Sequence, residues 1–451
     1  MNKLLLLLLI STSVLSSRYF ERRHNPNYGL FNEYIYGNYG RSLKQFHSAE
    51  SSVFKVESYH GYVPINQNND DIFYWLFPAK NADFKTAPLL VWFTGGPGCS
   101  SELAVMFENG PFNVTKQGEV VLNPYSWNDK ANLLYVDQPI GTGLSHSSTR
   151  DFAQTEEDVA NTMLTFFDKF YTDVFPEFQK RELFLSGESF AGNYLPYISN
   201  KLYNAKRDYI NLKGVAIGNG WSNPVLQFPA YADFAFRDEN KQFTGMTEEQ
   251  FNKLKPKLET CAMMLKSSPR NMMGAVADFC ESLSDSITAG PDGTPKFNIY
   301  DITKPCIGEL CYDMNAIIDF INSPAVRNEL QADKSWMPCD GIVGAAIARQ
   351  DENNVAAPKL RDILEADITV LVYNGVYDFA CNWVGGELWT RSLEWSGQVE
   401  FAKQKFVKQD IGEARTYKNF KFLKVFNAGH MVPLDQPQGA LGMINAFMGF
   451  K

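Results

Sequence analysis

The sequence predicts an α/β protein with a central, mostly parallel sheet flanked by helices. Apolar runs of strand length alternate with segments of helical periodicity over much of the 451 residues, a rhythm that is typical of parallel sheets. Three of these runs, at 183–186, 368–374 and 421–426, lead through turn residues to a serine, an aspartate and a histidine. Because open α/β sheets place their sites just beyond the carboxyl ends of strands, the pattern also predicts a functional site at that edge.

The segment 183–194 predicts a strand, a sharp turn and a helix. Its apolar run stops at Gly187, Ser189 lies between bulky neighbours, and the small residues Ala191 and Gly192 precede a helical pattern. Small residues let the strand and the helix approach closely at such a turn, which lifts a serine oxygen above the sheet. The pattern G-x-S-x-A differs from the common G-x-S-x-G in its last position. A turn whose serine merely caps the helix is the alternative interpretation.

Asp378 and His430 supply the partners that such a serine needs. The strand 368–374 leads to Asp378, and the strand 421–426 leads to His430. The chain order Ser189, Asp378, His430 is that of α/β-hydrolases, whereas chymotrypsin-like and subtilisin-like enzymes use other orders. Taken singly, the aspartate could be a turn acid and the histidine a surface residue. Their joint occurrence in this order predicts the α/β-hydrolase fold with a catalytic triad.

A glycine-rich loop after the apolar run 88–93 predicts an oxyanion hole. Two successive glycines, Gly95 and Gly96, free their backbone N–H groups for close approach to a ligand. In an acyl-transfer enzyme the residue after the nucleophile supplies the second donor, so the predicted donors are the N–H groups of Gly96 and Phe190. A phosphate-binding loop is the competing interpretation, but no Lys-Ser/Thr pair follows Gly98, as a P-loop requires.

Longer motifs around these residues resemble one enzyme family. They are 94–101 (Thr-Gly-Gly-Pro-Gly-Cys-Ser-Ser), 108–111 (Glu-Asn-Gly-Pro), 187–192 (Gly-Glu-Ser-Phe-Ala-Gly), 217–221 (Ile-Gly-Asn-Gly-Trp), 378–383 (Asp-Phe-Ala-Cys-Asn-Trp) and 429–433 (Gly-His-Met-Val-Pro). From about Phe54 to the C-terminus the chain resembles serine carboxypeptidases of the cathepsin A and carboxypeptidase Y type. The resemblance implies an enzyme that releases C-terminal amino acids from peptides and proteins through an acyl-enzyme.

The resemblance also implies a pocket for the free C-terminal carboxylate of the substrate. The residues that match it are Trp92, Thr94, Gly95, Glu108 and Glu188. Family members often carry asparagine where this chain has Thr94, so a hydroxyl replaces an amide there while the Gly95 N–H is unchanged. Three carboxyl groups in one site cannot all ionise, so at least one pKa must rise. We therefore expect hydrolysis to be best in acid. Without the resemblance, Glu188 would be interpreted as a helix-start acid and Glu108 as a solvated loop acid.

Seven cysteines predict disulfides with at least one thiol left over, because the number is odd. The resemblance implies the pairs Cys99–Cys339, Cys261–Cys280 and Cys306–Cys311. It leaves Cys381, three residues after Asp378, as a free thiol near the site. No histidine or cysteine spacing matches a zinc or haem site, so we expect neither a metal nor another cofactor.

The N-terminus predicts a secreted or lumenal protein. Residues 1–17 contain a lysine, an apolar run over 4–10 and then small polar residues, which is the order of a signal peptide. A membrane anchor is the alternative, but the run is shorter than the ~20 residues of a span. We expect the secretory pathway, with the lysosome or vacuole and the exterior both open. Asn113 begins an Asn-Val-Thr sequon, which predicts a glycan unless the sequon is unused.

Composition and rhythm divide the chain and exclude some partners. The formal charge of −9 and the pI of about 5.3 argue against nucleic acid, which needs basic patches. The predicted units are the signal peptide at 1–17, an N-terminal arm or pro-segment at 18–50, a first part of the core at 51–223, an inserted, mainly helical cap at 224–345 and a second part of the core at 346–451. Expected partners are peptides or proteins with a free C-terminus. We expect no membrane span, and a homodimer stays open.

Two other functions remain open at this point. One is an acyltransferase or esterase on the same fold, because some plant relatives of the family transfer acyl groups to alcohols. The other is a stabilising binding partner, a role that some members also have. Activity on a blocked dipeptide with a free carboxylate would separate a peptidase from the first. The intact triad argues against the second as the only role.

Overall fold

The computed structural model describes residues 35–36, 41–269, 272–290, 294–308, 310–348, 351 and 354–450. The predicted signal peptide lies outside these residues. The strands of the described chain are β1 (Ile35–Tyr36), β2 (Ser42–His47), β3 (Ser58–Pro64), β4 (Asp71–Phe77), β5 (Leu89–Phe93), β6 (Phe112–Val114), β7 (Val120–Leu122), β8 (Asn132–Val136), β9 (Glu182–Glu188), β10 (Asn211–Gly218), β11 (Thr369–Gly375), β12 (Val407–Gln409), β13 (Gly412–Tyr417) and β14 (Phe420–Val425).

Twelve of these strands form one mixed sheet in the order β1-β2-β3-β4-β8-β5-β9-β10-β11-β14-β13-β12. The central strands from β8 to β14 run parallel to one another. The strands on either side of that centre pair antiparallel. The predicted central, mostly parallel sheet is therefore confirmed, and its carboxyl edge is where the triad candidates lie.

Helices connect and cover the strands. They are α1 (Glu102–Phe107), α2 (Glu156–Lys169), α3 (Ala191–Ala205), α4 (Pro224–Ala235), α5 (Lys241–Thr244), α6 (Glu248–Ser267), α7 (Met273–Thr288), α8 (Asn315–Ile321), α9 (Pro324–Glu329), α10 (Gly341–Ala348), α11 (Leu360–Glu365), α12 (Trp383–Ser392), α13 (Gln398–Lys403), α14 (Val432–Asp435) and α15 (Pro437–Phe447). A π-helical turn, Phe170–Val174, extends α2, and short 3₁₀ turns occur at Pro176–Phe178 and Ala357–Lys359.

Each face of the sheet has its own hydrophobic core, because successive side chains of a strand point to opposite faces. In β5, Leu89 and Val91 pack into a core with helices α2, α3 and α4, whereas Leu90 and Trp92 pack into a core with α1, α8 and α15. All four side chains are fully buried. Burying one such aliphatic side chain contributes ~1.5–3 kcal/mol, so both cores fix the central strands.

The chain between β10 and β11 forms α4 to α11. Within it α4 packs on α6, and α6 packs on α7. A disulfide joins Cys261 of α6 to Cys280 of α7. The division of the chain at 223/224 and 345/346 stays a prediction, and α10 runs across the second of these boundaries.

Several local features differ from those expected. Residues 42–47, inside the predicted arm, form β2 of the main sheet, so this part of the arm is integral to the fold. The edge hairpin β12–β13 was not predicted, because its short, charge-rich strands have little apolar alternation. No helix of the described residues is long and apolar enough to span a bilayer.

Candidate active site

Ser189 lies on a sharp turn between β9 and α3. The strand ends at Glu188, the helix begins at Ala191, and Ser189 has a φ of 65°. Residues other than glycine rarely adopt this left-handed conformation, and its cost is tolerated mainly at functional sites. Two backbone hydrogen bonds hold the turn, because Ser189 N donates to Gly218 O at 3.1 Å and Trp221 N donates to Ser189 O at 2.9 Å. The main chain of β10 and its following loop thus fixes Ser189.

Glycines are required where the oxyanion loop touches this turn. A Cβ added to Gly95 would lie 2.3 Å from Phe190 N and 2.8 Å from Ser189 Cβ. A Cβ added to Gly192 would lie 2.6 Å from Trp221 N. Real Cβ atoms do not approach backbone so closely, so the small residues noted in the sequence allow the loop, the strand and the helix to meet.

Asp378 and His430 are hydrogen-bonded to each other. His430 Nδ1 lies 2.8 Å from Asp378 Oδ2, and both side chains are buried. The same carboxylate oxygen accepts a hydrogen bond from Asn219 Nδ2 at 2.8 Å and from the Cys381 N–H at 3.1 Å. Three donors therefore converge on one oxygen, which orients the carboxylate toward the imidazole.

His430 is held in place by a segment of the chain between β10 and β11. The His430 N–H donates to Tyr300 O at 2.7 Å, and the two rings lie 5.0 Å apart between centroids. Beside it, Gly429 N donates to Asp435 Oδ2 at 2.7 Å. Lys304 bridges Asp435 to Asp301, one residue after Tyr300. This network fixes the loop that carries the histidine.

His430 Nε2 faces the elbow, which is the sharp turn around Ser189 between the end of β9 at Glu188 and the start of α3 at Ala191. It lies 3.9 Å from Oε1 of Glu188, the residue that precedes Ser189. Because Nδ1 is bonded to Asp378, Nε2 is the nitrogen left to exchange a proton with a group at the elbow. The structure thus brings the loops that carry the three triad candidates to one point at the carboxyl edge of the sheet.

The two predicted oxyanion donors lie where the Gly95–Gly96 loop meets the elbow. Among the described residues, neither the Gly96 N–H nor the Phe190 N–H donates a backbone hydrogen bond. The loop itself is held by Ser100 N bonded to Pro338 O and by Asp340 N bonded to Gly98 O, both at 2.8 Å. A disulfide between Cys99 and Cys339 closes the same contact.

Glu108 and Glu188 form a buried carboxyl pair beside His430. Each carboxyl lies close enough to the other to shift its pKa. Burial raises the pKa of Glu108 to about 7, although the nearby His430 and Glu188 act in the opposite direction. Burial, followed by the charges of Glu108 and Asp378, raises the pKa of Glu188 well above its usual range. The pair is therefore a hydrogen-bond donor in acid.

Trp92 and Thr94 are hydrogen-bonded to each other at the carboxyl end of β5. Trp92 Nε1 donates to Thr94 Oγ1 at 3.0 Å, and the Thr94 N–H donates to Ser101 Oγ at 3.1 Å. The indole N–H is therefore used within the protein. It orients the Thr94 hydroxyl, whose own hydrogen remains available to a ligand.

An aromatic row leads from the carboxyl pair to the histidine. Phe107, which precedes Glu108, lies 5.7 Å from Tyr312 between ring centroids, and Tyr312 lies 6.3 Å from Tyr300. Tyr300 in turn contacts His430. Sequence reasoning missed Tyr300 and Asn219. Asn219 lies in the motif 217–221, which could have indicated it, whereas nothing local distinguishes Tyr300 from other tyrosines.

The cysteines pair as the family resemblance implied. The disulfides are Cys99–Cys339, Cys261–Cys280 and Cys306–Cys311. Cys381 is a buried free thiol, and its Sγ lies within 4.8 Å of a carboxylate oxygen of Asp378 and of a ring nitrogen of His430. Burial, together with the charges of Asp378 and Glu188, raises the pKa of the Cys381 thiol. Such a thiol stays protonated and is a weak nucleophile. Asn113 lies half-buried on β6, and its glycosylation stays a prediction.

Several known proteins are similar to this chain in sequence or in structure. The serine carboxypeptidase family model matches residues 49–449. Serine carboxypeptidase 3 of Hordeum vulgare is 39% identical over 395 residues, covering 85% of this chain and 76% of that protein. A serine carboxypeptidase-like protein of Oryza sativa subsp. japonica is 37% identical, covering 88% and 94%.

Among solved structures, the prohormone-processing carboxypeptidase of Saccharomyces cerevisiae superposes with a TM-score of 0.76. The two chains are 27% identical, and the match covers 87% of this chain and 91% of the yeast protein. That likeness confirms the predicted α/β-hydrolase fold. With the family match over most of its length, the chain belongs to the serine carboxypeptidases.

Proposed function

We propose that this serine carboxypeptidase uses Ser189 as the nucleophile, His430 as the general base and acid, and Asp378 as the residue that orients the imidazole. The observation that carries the proposal is the 2.8 Å hydrogen bond between Asp378 and His430 Nδ1, which leaves Nε2 facing the elbow. The positive φ of Ser189 supports it, since that backbone conformation exposes a serine side chain.

The reaction follows from these positions. Ser189 Oγ attacks the last peptide carbonyl while His430 Nε2 takes the proton of the Ser189 hydroxyl. The N–H groups of Gly96 and Phe190 stabilise the oxyanion that forms on the carbonyl oxygen. His430 then returns the proton to the leaving amino acid, which leaves an ester on Ser189. Water, activated by His430 in the same way, attacks the ester and releases the shortened peptide.

The carboxyl pair accounts for the choice of the C-terminal residue. Glu188 is adjacent to Ser189 in the chain, and its carboxyl lies 3.9 Å from His430 Nε2. A substrate carboxylate bound at Glu188 and Glu108 would therefore lie close to the attacked carbonyl, at about the span of a single residue. The Thr94 hydroxyl and the Gly95 N–H are the further donors that we assign to this carboxylate. An internal peptide bond offers no carboxylate at this place.

We further propose that this pair makes the enzyme work best in acid. A protonated glutamate donates a hydrogen bond to the substrate carboxylate, whereas an ionised one repels it. Because burial raises the pKa of Glu108 to about 7, the Glu108 proton is present below that pH and is lost as the pH rises through it. The His430 imidazole acts in the opposite direction, since it must be neutral to accept a proton.

We assign the protein to the secretory pathway, either in a lysosome or vacuole or outside the cell. The predicted signal peptide and the three disulfides, which pair six of the seven cysteines, support this assignment. A glycan on Asn113 would follow, and removal of N-glycans should then increase gel mobility. An unchanged mobility, with Asn113 unmodified by mass spectrometry, would contradict the glycan.

The test of the assignment combines labelling with product analysis. A fluorophosphonate probe should modify Ser189, and mass spectrometry of a digested peptide set should show loss of residues from the C-terminus alone. Ser189→Ala should abolish both, since triad residues act as a unit and supply several orders of magnitude. Modification of a different serine, or hydrolysis of esters with no action on free C-termini, would overturn the proposal.

A further inference from the structure

A cavity lies in the chain between β10 and β11, within the helices α5, α6 and α7. Its volume is about 270 Å³, just below the ~300–1,000 Å³ of typical small-molecule sites. The residues that line it are Thr244, Met246, Gln250, Lys253, Leu254, Lys257, Ser286, Ile287 and Lys296. None of them belongs to the triad or to the carboxyl pair.

The lining separates into an apolar floor and a cationic rim. Met246 and Ile287 are buried, and Leu254 is half-buried. The rim carries three exposed lysines, Lys253, Lys257 and Lys296, and no aspartate or glutamate of the described residues lines the cavity. The chain as a whole has a charge of −9, so three lysines without a lining acid form a local exception.

None of the three lysines forms a buried ion pair with a described residue. Lys253 contacts Glu249 at 2.6 Å, but both side chains are largely exposed, and such surface pairs contribute ~0–1 kcal/mol. Lys296 Nζ donates to Ile287 O at 3.1 Å, which leaves two of its three hydrogens. Lys257 has no ion pair among the described residues. Each ammonium can therefore still meet an anion.

We propose that this cavity binds a small amphiphilic anion, with its anionic head at the lysine rim and its aliphatic body against Met246, Leu254 and Ile287. The hydroxyl of Ser286 and the amide of Gln250 are the neutral polar groups beside the head. A medium-chain carboxylate has this shape and charge, and a body of about eight carbons suits a cavity at the lower end of ligand-site volumes. The site lies apart from the proposed catalytic one and does not depend on its assignment.

The proposal is tested with octanoate, octanol and acetate, titrated against the full chain by calorimetry. Octanoate should bind saturably, and octanol or acetate should bind at least about tenfold more weakly, because each lacks one of the two interactions. Salt should weaken octanoate binding, since the ammonium groups are exposed and screened. Equal binding of octanol and octanoate, or no saturable binding of octanoate, would overturn the proposal.

Variants of equal charge change locate the ligand. Lys253→Gln/Lys257→Gln/Lys296→Gln should weaken octanoate binding at least about tenfold. Lys405→Gln/Lys408→Gln/Lys418→Gln, on and beside the β12–β13 edge hairpin, should leave it unchanged. The same loss in both triple variants would mean a general charge effect and would overturn the site. So would binding that survives the first variant but disappears in Glu108→Gln/Glu188→Gln, because the ligand would then lie at the catalytic carboxyl pair.

Discussion

Asn219 holds the carboxylate of Asp378 and takes no part in proton transfer in the proposed reaction. Asn219 donates to Asp378 Oδ2 at 2.8 Å and accepts from Gly375 N at 3.2 Å. It thus ties the carboxylate to the end of β11. Asn219 has a φ of 41°, a conformation that asparagine and glycine adopt more readily than other residues. In the proposed mechanism Asn219 is a positioning residue, since it would act on the reaction through the aspartate.

Replacing Asn219 with glycine should lower kcat by about 10- to 100-fold, because a hydrogen bond to a charged group contributes ~1.5–3 kcal/mol. Glycine keeps the backbone conformation, so the fold should persist. The rate of fluorophosphonate labelling should fall with kcat, while KM for a blocked dipeptide stays unchanged. The matched control is Asn427→Gly, an exposed position with a φ of 55°. Unchanged kcat in Asn219→Gly would contradict the positioning role.

At the scale of elements, the oxyanion loop is held from outside the core by the segment around Cys339. The disulfide to Cys99 lies between the backbone bonds Ser100 N to Pro338 O and Asp340 N to Gly98 O. Gly96 is three residues from Cys99, and its N–H is one of the two oxyanion donors that we propose. The loop is thus fixed at both its ends, by the elbow and by this disulfide.

Cys99→Ser/Cys339→Ser should therefore lower kcat several-fold, up to about tenfold, with a smaller change in KM. The loss should be less than the ~10²–10³-fold of a deleted oxyanion donor, because the two backbone bonds remain. Cys261→Ser/Cys280→Ser, a disulfide between helices α6 and α7, is the control. Steady-state kinetics on both variants test this prediction. If kcat of Cys99→Ser/Cys339→Ser equals kcat of the control variant, the Cys99 disulfide serves stability alone.

His47 of β2 and His60 of β3 form a stacked pair of rings where these strands meet α9. The rings of His47 and His60 are 5.0 Å apart with an interplanar angle of 13°. Burial, and then the charge of His47, lowers the pKa of His60 well below its usual value. Glu329 of α9 lies 3.6 Å from His47 and accepts hydrogen bonds from the adjacent turn, from Ser52 Oγ and the Val53 N–H.

His60 should make the fold less stable in acid. The unfolded chain binds a proton below about pH 6.5 while the folded chain does not, so stability falls by up to ~1.4 kcal/mol per pH unit below that point. His60→Phe should remove this loss, since the new ring can pack on Phe73, which lies 6.2 Å from the histidine ring. Denaturant unfolding at neutral and acid pH measures the difference. His146→Gln, at a half-exposed position, is the control, and an equal acid loss in wild type and His60→Phe would refute the assignment.

At the scale of the whole molecule, the sequence predicted what depends on local pattern. The strands that lead to Ser189, Asp378 and His430 were predicted because each is an apolar run with turn residues at its end. The fold class followed from their order. Tyr300 could not be predicted, because its contact with His430 forms only when the long segment between β10 and β11 folds back onto the sheet. The pairing of Glu108 with Glu188 was implied by the family, and the contact joins residues 80 positions apart.

The measurement that tests the account most directly is KM for a blocked dipeptide and for its C-terminal amide, from about pH 4.5 to about 7.5, on either side of a raised carboxyl pKa. KM for the free acid should rise as the pH passes the Glu108 pKa of about 7, because the proton that bonds the substrate carboxylate is lost. KM for the amide should stay flat, and Glu108→Gln/Glu188→Gln should remove the rise for the acid. A KM for the acid that is flat across this range in the wild type would contradict the shared-proton pocket.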